Sequence, residues 1–262
     1  MKDLKSRPGK FLTIFSFFLA AFLFLSFLPV HRSDPSAATA GSHSAAASPA
    51  SPTAGRNNVF SLADSPRLNL LYDSLELDSL GLSTQAYHKA VAGFLNLVAA
   101  GAIPNPGILS IIDFSLPSSQ KRLFIIDTYN GKLLFNTLVA HGRNSGKLVP
   151  TRFSNRRNSF MSSLGFYVTG EPFIGQHGYS LRLEGMEKGW NDHIFSRAII
   201  MHPADYVSED HIRQWGFLGR SEGCPAIPEQ LNKPIIDLIR GGSCIFVYSQ
   251  NKKYLHLSKL VS

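Results

Sequence analysis

The chain has 262 residues, 44% of them hydrophobic, and a formal net charge of +8. That length holds one sizeable domain with additions, not two full domains. Residues 1–66 hold six Lys/Arg against three Asp/Glu, leaving 20 against 15, a net of +5, for the remainder. Such a balance suits an anionic polymer or a solvated basic surface, and no basic helix or aromatic–basic repeat points to nucleic acid.

The first ten residues carry Lys2, Lys5, Arg7 and Lys10 against Asp3, and residues 11–30 are almost wholly apolar. A basic stretch followed by an apolar one is an export signal. About 20 apolar residues also suffice to span a bilayer. Residues 1–35 are therefore read as a signal peptide or an uncleaved membrane anchor. The basic flank keeps the N-terminus in the cytoplasm and puts the body outside, in the periplasm or cell envelope. Residues 36–66, rich in Ser, Ala and Pro, lack the periodic apolar positions of a core and read as a flexible linker.

Residues 67–106 read as a helical segment. Leu68, Leu71, Tyr72 and Leu75 have helical spacing over 68–80. Ser83 is placed to N-cap a second helix whose stripe is Tyr87, Val91, Phe94, Leu95 and Val98, with Gly101 at its end. After Pro106 the pattern turns to strands, predicted at 107–114, 122–128, 132–140, 165–169, 179–183, 198–201 and 244–249. Asn130-Gly131 marks a hairpin turn. Residues 229–240 read as a helix closed by Gly241-Gly242. Residues 107–262 are thus predicted to be mainly β with flanking helices, a compact sandwich or barrel preceded by a helical pair.

Of the two cysteines, Cys244 lies in a strand-like apolar run, whereas Cys224 lies in the polar turn Gly219-Arg220-Ser221-Glu222-Gly223-Cys224-Pro225. An unperturbed thiol, pKa ~8.5, is mostly protonated at neutral pH and needs a base to act as a nucleophile. His202, at the end of the apolar run Ala198-Ile199-Ile200, is the candidate base. Gly223 allows close backbone approach, and the N–H groups of Gly223 and Cys224 are candidates to face an oxyanion. Ser221 is a candidate to orient His202 or the substrate carbonyl. Arg220 offers a cation for a carboxylate. His141 and His177, each before a glycine, and Tyr206 are candidates to line the cleft. The even spacing of His193, His202 and His211 matches no zinc rule, so no metal or other cofactor is expected.

Beyond single residues, the chain from about 71 to 249 resembles the murein L,D-transpeptidase catalytic-domain family, in a divergent YkuD-like branch. The resemblance rests on Val139-Ala140-His141-Gly142-Arg143-Asn144-Ser145-Gly146, Ser163-Leu164-Gly165-Phe166-Tyr167-Val168-Thr169-Gly170, His177-Gly178-Tyr179-Ser180-Leu181 and Leu218-Gly219-Arg220-Ser221-Glu222-Gly223-Cys224-Pro225-Ala226. The family pattern is an upstream His, then Ser-His-Gly-Cys. Carried over, it implies Cys224 as nucleophile, His202 as base, and Ser221 and Gly223 as the motif serine and glycine. The implied activity is acyl transfer on peptidoglycan stem peptides through a thioester.

The match departs from the family at three positions. Glu222 replaces the second motif His, Pro203 follows the upstream His in place of Gly, and Ala226 stands where the family often carries Arg. The last departure leaves a substrate carboxylate to Arg220 or Arg182. It also leaves open an L,D-carboxypeptidase or wall amidase that resolves the thioester with water. A carboxylate beside the cysteine raises the thiol pKa, so Glu222 keeps a non-catalytic wall-binding module in view.

Overall fold

The computed structural model describes residues 62–261. The apolar run at 11–30, with its expected signal or anchor role, and most of the linker lie outside the described residues. No helix among the described residues is long and apolar enough to cross a membrane. Residues 62–66, expected as linker, are already helical: a 3-10 turn at Leu62–Asp64 leads into α1, Ser65–Ser74, with Pro66 in its first turn. Proline there forfeits no bond, since the first helical N–H groups have no intrahelical partner. α1 stops at Ser74, short of the expected position 80, and a turn follows in which Glu76 takes φ 51°. Helix α2, Thr84–Ala99, is capped as expected, Ser83 Oγ accepting from the Ala86 N–H at 3.3 Å. The Ser83 N–H in turn donates to Asp113, fixing the helix to the sheet.

The remaining elements are β1 Ile108–Asp113, β2 Leu123–Asp127, β3 Lys132–Thr137, β4 Gly165–Gly175, β5 Gly178–Gly185, β6 Ile200–Pro203, α3 Glu209–Trp215, β7 Ala226–Ile227, α4 Glu229–Ile239, β8 Cys244–Tyr248 and α5 Lys252–Leu257. The strands form one mixed sheet in the order β3-β2-β1-β8-β4-β5-β6-β7. The body is mainly β with flanking helices, as the sequence indicates. β8 sits centrally, parallel to β1 and antiparallel to β4, and all five of its residues are buried. That suits an uninterrupted apolar run. Cys244 on this strand is fully buried, and burial pushes its thiol far up. β4 runs past its expected end at Thr169 through Pro172, because a register shift between these two residues spares the ladder the missing N–H.

The sheet curls until its two edges meet. The chain leaving β3 bridges β7 at Ala140–Ala226, and Gly142 bridges Ser221. Three bonds stitch this seam: Ala140 N–H to Ala226 O at 2.8 Å, Arg143 N–H to Ser221 O at 2.8 Å, and Ser221 N–H to His141 O at 3.0 Å. Leu138, Ala140, Ala204, Val207, Leu218 and Ala226 form a small apolar cluster of their own there. Full burial contributes roughly 1.5–3 kcal/mol for each Leu- or Val-sized side chain. The Gly219–Pro225 turn therefore lies where the barrel-like closure occurs.

Candidate active site

The Gly219–Pro225 turn is held from within. Ser221 Oγ donates to Cys224 O at 2.6 Å and accepts from the Gly223 N–H at 3.1 Å. This differs from two expectations. Ser221 shapes the turn rather than reaching His202, and the Gly223 N–H is engaged rather than turned toward an oxyanion. Gly223 has φ +125°, and a Cβ there would stand 2.7 Å from Met161 O. A Cβ on Gly142 would meet Gly223 Cα at 2.9 Å. The His141-Gly142 and Gly223-Cys224 segments thus pack backbone against backbone.

Cys224 is a free, buried cysteine. Its thiol donates to Ala198 O at 3.8 Å, not to His202. Ala198 has φ 53°, in the left-handed region that costs a non-glycine residue energy. Burial pushes the Cys224 pKa up, opposed by the Ile200 N–H that faces the sulfur and by the Arg197 cation, while Glu222 raises it slightly further. The resting group is a thiol, so nucleophilic attack from it would need a base.

His202 lies at the end of β6, one residue before Pro203 closes it, 3% exposed and in parallel register with Ala226, two positions beyond Cys224. Its Nδ1 lies 2.8 Å from Pro203 O. A carbonyl only accepts, so Nδ1 carries the hydrogen and Nε2 keeps its lone pair. Burial holds the His202 pKa below its ordinary value, with His177 adding to that effect. At neutral pH the ring is therefore an uncharged base. The His177 imidazole, at the β4–β5 turn, stacks on it with centroids 4.3 Å apart and planes at 21°.

The cations fall in different places. Arg197, missed in the sequence, has Nη1 donating to Ser154 O and Ser163 Oγ and Nη2 to Ser159 Oγ and Met161 O. This locks a guanidinium beside the thiol. Arg220 is exposed and donates to Arg143 O and Gly146 O, both at 3.2 Å. Arg182 stacks on Phe173 at 4.5 Å in a cavity of about 760 Å³ that also borders Ala198. Neither Cys224 nor His202 lines that cavity. Tyr206 is half-buried. Its hydroxyl is pushed up to about 12, mainly by burial. Gly219 lets it approach: a Cβ there would lie 2.4 Å from the Tyr206 Cβ.

The family model for the L,D-transpeptidase catalytic domain matches residues 78–248, more than half of the chain. The chain belongs to the L,D-transpeptidase catalytic-domain family. Among solved structures it is similar to an L,D-transpeptidase from Mycobacterium smegmatis, at 12% identity and TM-score 0.34, over 55% of this chain and 59% of that one. An L,D-transpeptidase from Stackebrandtia nassauensis matches at 11% identity and TM-score 0.34, over 72% and 79%. L,D-transpeptidase 1 of Mycobacterium tuberculosis matches at 12% and 0.31, over 55% and 62%. The chain thus spans 59% of the Mycobacterium smegmatis structure's length. No curated protein sequence matches it.

Two positions gain a physical account within this L,D-transpeptidase domain. His141, expected to line the cleft, is fully buried: Arg122 Nη2 donates to its Nδ1 at 2.8 Å and its Nε2 faces Gly146 O at 3.2 Å. Both nitrogens are occupied, so the ring braces the seam and leaves no face for substrate. Burial, the Arg122 cation beside it and, more weakly, Arg220 pull its pKa down to about 3. Arg122, itself fully buried, also donates to Val139 O and Leu116 O. Ala226, where the family often carries Arg, points into the small apolar cluster of the seam, so a guanidinium has no place on that side chain.

Proposed function

We propose that the domain catalyses cysteine-dependent acyl transfer on peptidoglycan stem peptides, with Cys224 as nucleophile and His202 as base. The observation that carries this reading is the pairing of β6 with β7. It sets an imidazole with a free Nε2 two positions in register from the buried thiol. Rotation of the Cys224 side chain away from Ala198 O frees the thiol for His202. Sulfur attacks the carbonyl carbon of the L-to-D peptide bond as its proton passes to Nε2. The C–N bond breaks, and the imidazolium returns the proton to the departing D-residue. An acceptor amine then attacks the thioester carbon and passes its proton to His202, the C–S bond breaks, and the imidazolium returns the proton to the sulfur. Arg197 and the Ile200 N–H support the thiolate. Glu222, exposed and paired with Arg143 at 3.3 Å, is the weakest influence on the thiol, which argues against a non-catalytic module.

The test is mass spectrometry of muropeptides and of intact protein after incubation with tetrapeptide stems. A thioester on Cys224 and new cross-linked dimers are expected, both lost in Cys224→Ala. Stems left unchanged by the wild type refute the proposal. The apolar seat of Ala226 favours a second reading, hydrolysis, which would give shortened stems without dimers.

A further inference from the structure

Among the described residues no carboxylate bonds to His202 or pairs with it, and its ring is held by the single 2.8 Å contact from Nδ1 to Pro203 O. One bond fixes one edge of an imidazole and leaves it free to pivot, because the terminal torsion of a histidine is broad. A pivot swings the Nε2 lone pair away from the line along which a proton arrives, and a base acts only when that geometry is kept. The group that removes this freedom is His177, whose ring lies face to face with that of His202, centroids 4.3 Å apart and planes at 21°.

The fold carries His177 to that place. β4 and β5 close on each other at Gly175–Gly178, around the two-residue turn Gln176-His177. The left-handed residue of this turn is Gly178, at φ +79°, so His177 itself needs no strained backbone. Ser180 Oγ, fully buried, donates to Gly178 O at 3.1 Å. Helix α4 clamps the hairpin one residue further on. Asn232 Nδ2 donates to Tyr179 O at 2.7 Å, and the Tyr179 hydroxyl donates to Asp237 Oδ1 at 2.6 Å. β5 then pairs with β6 at Leu181–Met201, one residue before His202. His177 is exposed whereas His202 is 3% exposed, so the outer ring lies between the inner one and solvent.

We propose that His177 is a positioning residue for the base: its ring fixes the plane of the His202 imidazole, which the Pro203 carbonyl alone leaves free to pivot. The use of that plane in catalysis rests on the acyl-transfer reading of Cys224 and His202; the stack itself does not. Carbonyl and stack divide the work of the missing acidic partner, one holding an edge of the ring and the other a face. The titratable groups bearing on the ring are His177 on the hairpin tip and Cys224, two positions short of its register partner Ala226. Burial, to which the stack contributes, and the His177 charge both hold the His202 pKa below its ordinary value, so the same contact favours the free base.

The test uses the full chain in detergent with ring-labelled histidine, the His202 signals being assigned by their loss in His202→Gln. NMR relaxation reads the order of the His202 ring, and nitrogen shifts read its tautomer. The parent should show an ordered ring with its hydrogen on Nδ1. His177→Ala should show a mobile ring of mixed tautomers that titrates at higher pH than in the parent, because burial and the His177 charge are both reduced. His177→Phe keeps a stacking ring and should restore the order and the single tautomer. Thioester formation on a tetrapeptide stem is then timed by mass spectrometry of the intact protein. In His177→Ala the rate at saturating stem should fall on the order of tenfold with stem KM unchanged, and His177→Phe should recover most of it. A ring as ordered in His177→Ala as in the parent, or a His177→Phe no better than His177→Ala, would overturn the proposal. No thioester from the parent, with ring order as stated, sinks the acyl-transfer reading alone. Thioester formation at one rate in all three proteins sinks the role of His177 alone.

Discussion

His141 predicts an acid sensitivity that one substitution should remove. Its imidazole is fully buried, accepts from Arg122 and is held down to about 3. An unfolded histidine titrates near 6.5. Between these values the unfolded chain takes up a proton that the folded chain refuses, so stability falls as pH falls. The contribution is complete above ~6.5 and is lost progressively toward about 3. From pH 7 to pH 5 the loss is ~2 kcal/mol for this residue alone, using 1.36 kcal/mol per pH unit. His141→Gln keeps an amide that can accept from Arg122 and donate to Gly146 O, and it has no titration. The assay is urea unfolding of both proteins at pH 7 and pH 5. His202, with its lowered pKa, adds a loss of the same sign. Asp113 and Glu187, whose pKa values are raised by burial, add the opposite sign. All three are present in both proteins and cancel in the double difference. The variant should lose ~2 kcal/mol less than the wild type between the two pH values. Equal losses in the two proteins would refute the account of His141 as a buried neutral brace.

Two further outcomes follow from the Gly219–Pro225 turn. Arg197→Met removes a cation that favours the Cys224 thiolate, so the pH profile of Cys224 alkylation should move upward, with rates at pH 8 lowered on the order of tenfold. An unmoved profile in a folded variant would mean that Arg197 serves structure alone. Gly223→Ala forces a Cβ to within 2.7 Å of Met161 O at φ +125°; a destabilisation of about 1–3 kcal/mol is expected, and a wild-type unfolding midpoint would contradict it.

Local chemistry was legible in the sequence where neighbours in the chain decide it. Ser83 caps α2 through a bond three residues away, and the strands around Asn130-Gly131 pair as a hairpin. The strand end that carries His202 was equally visible, whereas the polar residues around Cys224 gave no sign that its thiol is buried against the apolar core. What stayed hidden depends on residues far apart in sequence. Arg197 gains meaning only because Ser154, Ser159, Met161 and Ser163 converge on it. His141 looked like a cleft residue because nothing local reveals Arg122 beneath it. Pro172 hid the second half of β4, since a bulge is invisible in composition. Helix α3 has no buried residue, and α5 is held largely through Tyr254, with Ser258 just beyond it, on Glu187, so neither shows a strong apolar stripe.

The seam between the sheet's edges ties the timing of activity to the completion of folding. Gly142 and Ser221 are 79 positions apart, and contacts of such separation are costly for a chain to close. The turn geometry, the Gly142–Gly223 packing and the alignment of His202 with Ala226 all depend on that closure. A chain with an open seam carries Cys224 as an ordinary, unassisted thiol. On the proposed mechanism, maturation and activation are therefore one event, and a partly folded chain has no assembled catalyst to misdirect.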